Sequence, residues 1–138
     1  MDNIEFCNLV KEAKKMSGVS NVELVIAMKK SQGVINDMLR PRGDYSVYRY
    51  LSFLNIIGFY ISILQNNKCT NIRSEEDLTN WVKGIFVQFN TSSYGLGEKL
   101  GTSHQTILRI SNGGTIKLSH FLKLAELTNS KVSIEAII

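Results

Sequence analysis

Apolar residues recur at helical spacing through most of this chain and at alternate positions in two short stretches. Trp81, Val82, Ile85, Phe86 and Phe89 return at three- and four-residue steps, which places them on one broad helical face. Ser92 stands at the cap position of a second helix that carries Leu96 and Leu100 and stops at Gly101. Ser103 opens a third, with Ile107 and Ile110 inward, before "NGGT" breaks the chain. "LSHFLKLAELTN" then reads as a fourth, burying Leu118, Phe121, Leu122, Ala125 and Leu127. The first half has the same rhythm. Phe6, Leu9, Val10 and Ala13 are followed by Leu24 and Met28, then Ile35, Met38 and Leu39, then Val47, Tyr50, Leu51, Leu54 and Ile57. "GFYISIL" and "SKVSIEAII" differ: they alternate and are rich in β-branched residues, so both read as strands.

The two halves are copies of one pattern. A shift of about 72 residues sets Asn8, Val10, Lys11, Ser20, Leu24, Ser31 and Ile35 on identical residues at Asn80, Val82, Lys83, Ser92, Leu96, Ser103 and Ile107. One residue fewer then aligns "VYRYLSFLNIIGFYISI" with "LSHFLKLAELTNSKVSI". The chain therefore divides into modules 1–65 and 74–138. Residues 66–73, polar and without periodicity, read as a linker. Ser74 and Asp77 after it have the spacing of a helix-opening cap. A lone strand leaves its amides unpaired, and there are two at matching places. The expected fold is mainly α: two four-helix modules, each followed by a short β-strand, with residues about 59–64 antiparallel to about 131–137.

Composition narrows the possible functions. The 138 residues carry a formal net charge of +4, with a pI near 9.1, which is compatible with a polyanionic partner. Residues 1–70 hold nine Lys and Arg against six acids, and residues 71–138 hold seven against six. No apolar run has the length of a membrane span, and the first residues lack a basic segment followed by an apolar one. The expectation is a cytoplasmic protein with no membrane partner. Cys7 and Cys69 stand apart and read as reduced thiols. Neither they nor His104 and His120 have metal-ligand spacing, so no metal or cofactor is expected. His120 reads as an ordinary surface residue of the fourth helix, and Tyr45, Tyr48 and Tyr50 as core or domain contacts. Paired carboxylates, a phosphate-cradling loop and a nucleophile beside a base are all missing, so the chain is not expected to be an enzyme.

The stretch "LGTSHQTILRISNGG" resembles the helix-turn-helix of the lambda repressor and Cro family, the XRE type. That pattern needs a small residue in its first helix, a glycine at the turn and a branched apolar residue in its second. Gly97, Gly101 and Ile107 stand at those places. The resemblance implies a tandem pair of lambda-repressor-like helix-turn-helix modules, with double-stranded DNA as partner and the third helix of each module at the major groove. In the second module it points to Ser103, His104, Gln105, Leu108 and Arg109 on that helix. Gln105 and Arg109, four apart, share one face, and amide, guanidinium and apolar side chains match adenine, guanine and the thymine methyl. Ser93, Asn112 and Lys117 suit phosphates.

The first module departs from the pattern. Val25 replaces the small residue, Lys29 replaces the turn glycine, and Asp37 aligns with Arg109. Gln32, Asn36 and Arg40 still form an outward stripe, with Asn21, Lys30 and Arg42 as further candidates for contact. Family members usually dimerise, so one chain with two modules implies a monomer with internal pseudo-two-fold symmetry. Two functions compete: a sequence-specific DNA-binding protein, such as a transcriptional regulator, and a protein-interaction module. Small helical domains without nucleic-acid function also carry such turns. In the alternative, exposed helix faces grip a protein partner, as an antitoxin grips its toxin; some antitoxins of this family dimerise through a strand after the fourth helix, so the two functions are compatible.

Overall fold

Polar caps set most of the helix starts in the computed structural model, which describes residues 1–89 and 93–137 without the side chains of Phe89, Ser93 and Tyr94. α1 (Asn3–Ser17) begins at Asp2, whose carboxylate accepts the Glu5 amide at 2.9 Å. Ser20, Ser31 and Ser46 do the same for α2 (Asn21–Met28), α3 (Gln32–Met38) and α4 (Val47–Ile56), with a 3-10 turn at Pro41–Gly43. At the start of α5 (Glu75–Phe89) the Ser74 hydroxyl accepts the Asp77 amide, and Asp77 accepts the Arg73 amide in return. α6 (Ser93–Leu100), α7 (His104–Ser111) and α8 (Leu118–Leu127) follow. The Ser92 cap lies outside the described residues.

The strands form one antiparallel sheet in the order β2-β1-β3, from β1 (Phe59–Gln65), β2 (Lys68–Ile72) and β3 (Lys131–Ala136). β1 and β3 pair as their patterns imply, from Phe59 opposite Ala136 to Leu64 opposite Lys131. β2 corrects the reading of residues 66–73 as a linker. Asn66 and Asn67 both adopt left-handed conformations, φ 49° and 65°, which makes a two-residue hairpin turn, and Ile61 then meets Ile72. The alternation of β2 is hidden because it is an edge strand that buries only Ile72, while Lys68, Cys69 and Asn71 stay exposed.

Two antiparallel pairings join the halves about a local axis. Ser62 pairs with Ser133 in the sheet, and Ser46 pairs with Lys117 in an isolated bridge. Both pairs are 71 residues apart, the shift that aligns the second parts of the two halves. An antiparallel pair has a local two-fold between its strands, and at both places it relates positions 71 residues apart. Their neighbours exchange accordingly: Ile61 faces Ile134, and Ile63 faces Val132. At the bridge the Val47 amide donates to the Ile116 carbonyl at 2.9 Å, and the Leu118 amide donates to the Tyr45 carbonyl at 3.0 Å. A single buried cluster draws on both halves, including Phe6, Leu24, Ile35 and Ile61 with Val82, Leu96, Ile107 and Phe121. Burial of that apolar surface holds the two halves together in one core.

One cap crosses the axis. Lys117, at the start of α8, offers no side-chain acceptor. Asp44 of the other half, held at φ 41°, accepts the Ser119 amide at 2.9 Å and its hydroxyl at 2.7 Å, and also takes Asn3 at 3.2 Å. Burial pushes its carboxyl up, but the Ser119 and Asn3 bonds and the Lys117 charge outweigh this and hold it below the ordinary range. A depressed folded pKa means stability that is complete above the ordinary value of 3.8 and fades as pH falls through the lower folded one. Asp44→Ala removes the cap and places a non-Asx residue in the left-handed region. It should cost about 2 kcal/mol in urea unfolding at neutral pH, with the gap to wild type narrowing below about pH 4. A gap unchanged at acid pH would remove the carboxylate from this account.

Candidate nucleic-acid interface

The α6–α7 corner is closed by backbone geometry. Gly101 ends α6 at φ 72°, the Gly101 amide donates to the Glu98 carbonyl at 3.3 Å, and the Thr102 amide donates to Gly97 at 2.8 Å. A Cβ on Gly97 would sit 2.8 Å from the Thr102 carbonyl oxygen, so the two helices meet too closely for any side chain there. Ser103 caps α7 by accepting the Thr106 amide at 3.2 Å, and fully buried Ile107 pins the helix to the core.

This leaves Gln105, Leu108, Arg109 and Asn112 exposed, with Leu108 at 47% and His104 half-buried at the first turn. The second-module residues expected at DNA are thus brought together around α7. The Ser93 side chain lies outside the described residues, and Lys117 is exposed at the cap position of α8.

Arg109 makes a contact that its sequence position does not reveal. Its guanidinium donates to the Thr115 carbonyl at 2.8 Å and to the Thr115 hydroxyl at 3.1 Å. The Gly114 amide donates to the Arg109 carbonyl at 2.8 Å, and a Cβ on Gly114 would lie 2.6 Å from that oxygen. The loop after α7 is therefore folded back onto Arg109, whose guanidinium contacts Thr115. Burial, followed by the nearby Lys117 and Arg109 charges, outweighs Asp44 and pushes the pKa of half-buried His120 down.

The first half repeats the corner with different residues. Lys29 takes the turn at φ 55°, in the left-handed region that Gly101 occupies without strain. Val25 is half-buried at the place equivalent to Gly97. Gln32 is exposed and Asn36 half-buried on α3, with Lys30 exposed before it. Arg40 lies 3.8 Å from Asp37, both about half exposed, and Arg42 is exposed on the 3-10 turn. Asn21, the first residue of α2, is half-buried, and its Oδ1 is buried without a hydrogen-bond partner. α2 also turns apolar residues outward: Val22 is 64% and Ile26 71% exposed. Of the tyrosines, Tyr50 is fully buried and donates to the Met38 carbonyl at 2.7 Å, fixing the end of α3. Arg49 lies over the Tyr45 ring at 4.8 Å, and Tyr48 is exposed.

Comparison with protein-family models, curated proteins and solved structures finds no match to this chain. Among the described residues, no helix is long and apolar enough to cross a membrane, and no three His, Cys, Asp or Glu side chains converge. Both cysteines are free.

A pair of alanine substitutions tests the tight corner. Gly97→Ala should destabilise the chain by about 1–3 kcal/mol, because the contact it creates is with backbone. Gly84→Ala, in α5 with open space at its Cβ, should stabilise it by about 0.5–1 kcal/mol. Thermal unfolding of the two variants is the measurement, and a neutral Gly97→Ala would mean the corner is looser than described.

Proposed function

We propose that this chain is a sequence-specific DNA-binding protein, most simply a transcriptional regulator, built as a tandem pair of helix-turn-helix modules. It acts as a single-chain pseudo-dimer, with α3 and α7 at successive major-groove faces of one duplex. The observation that carries this reading is the α6–α7 corner. Its backbone forces a close crossing, and it leaves an amide, an apolar group and a guanidinium exposed on one short helix. The Thr115 contacts hold Arg109 in place before any ligand arrives, which reduces the ordering cost of a base contact. Lys117 and Asn112 flank the helix at positions suited to phosphates. The pairing of equivalent strands supports the pseudo-dimer, since it sets α3 and α7 about a two-fold as separate subunits would be.

One observation favours a second reading, a protein-interaction module. The exposed Val22 and Ile26 of α2 offer nothing to a phosphate and would suit an apolar partner surface.

Salt separates the two. Affinity for a duplex selected from random DNA should fall steeply as salt rises, because phosphate contacts release counterions. Lys117→Ala should weaken specific and random duplexes alike and flatten the slope by roughly one unit. Arg109→Ala should cost roughly 1–3 kcal/mol on the selected site and relax preference at one base pair. Affinity that does not respond to salt would favour the protein-partner reading.

A further inference from the structure

A homodimer presents two identical reading helices, so its preferred site is an inverted repeat. Here the matching positions of the two exposed helices carry different residues. On the axis itself, Ser46 faces Lys117. α3 offers the amides of Gln32 and Asn36, with Asp37 where α7 has Arg109, and the Asp37 charge is accompanied by Arg40 at 3.8 Å. α7 offers the Gln105 amide, the exposed Leu108 and the Arg109 guanidinium held on Thr115. The corners differ as well: Gly97 permits no side chain, whereas Val25 is accommodated at the equivalent place. Because the two halves share one core and one sheet, neither helix can take the other's place.

We infer that the DNA ligand is a non-palindromic site bound by one chain in one orientation. This rests on the DNA-binding reading above. The half-site under α3 is read by amides and is adenine-rich. The half-site under α7 contains a guanine for Arg109, with a thymine methyl in reach of Leu108. The two halves lie about one helical turn apart. Such a ligand has a direction, which the palindromic site of a homodimer does not have.

Two measurements on the intact chain test this. The first is selection from random duplexes, with the complex weighed by native mass spectrometry. It should give a motif with two unlike halves and one chain per duplex. Replacing either half by an inverted copy of the other should weaken binding by roughly tenfold for each base pair made wrong. The second is photocrosslinking with 5-iodouracil placed in one half at a time, followed by trypsin. The peptide containing Gln32 and Asn36 should be recovered from the adenine-rich half, and the peptide containing Gln105 and Arg109 from the other. An inverted repeat bound by two chains, or both peptides recovered equally from both halves, would overturn the inference and leave DNA binding standing. If no motif is enriched and affinity ignores salt, the DNA-binding reading falls and takes this inference with it.

Discussion

The antiparallel pairing of β1 with β3, with Ser62 opposite Ser133, is the constraint on which the rest of the molecule depends. Each strand alone would leave a row of amides without partners. Pairing satisfies them, and it also fixes where each four-helix unit lies relative to the other. The register sets residues 71 apart against each other, Ser62 on Ser133, and the same offset recurs at the Ser46–Lys117 bridge. Ile61 and Ile63 from one half and Val132 from the other then close the same buried cluster. A sheet edge in each half thus becomes the seam between them, covered on the β1 side by the additional strand β2.

On this symmetric frame the sequence places unlike chemistry. The turn residue is Gly101 in one half and strained Lys29 in the other. Asp44 and Thr115, which the 71-residue shift makes equivalent, have opposite tasks: Asp44 reaches across the axis to cap α8, while Thr115 stays in its own half and holds Arg109. An acid (Asp37) or a cation (Arg109) toward the end of the exposed helix changes which groups can approach it. The paired strands therefore govern where the helices sit, and on the DNA-binding reading we propose, the differences between the halves govern what each helix recognises. The exposed apolar side of α2 belongs to the same divergence.

The helices were legible because their signals are local: a 3.6-residue apolar rhythm and a serine at the cap, as at Ser31 and Ser103. The repeat made the β1–β3 pairing legible too, since matching strands in matching places need each other. β2 was not, because an edge strand with a wet face has almost no apolar alternation, and Asn-Asn is a weaker hairpin signal than Asn-Gly. The Asp44–Ser119 cap and the Arg109–Thr115 contact were also out of reach. The first joins residues 75 apart across the axis, and the second depends on a loop folding back along its own helix. On the candidate interface, exposure of Gln105 and Arg109 followed from helical spacing, whereas the buried Asn21 oxygen did not.

On the function we propose, a single chain lays two unlike helices along one duplex. The most direct measurement is a hydroxyl-radical footprint of the intact chain on its selected DNA. The expected result is two protected patches on one face of the duplex, about 10 base pairs apart, appearing together at one protein concentration. A single patch, or two patches that fill at different concentrations, would contradict it.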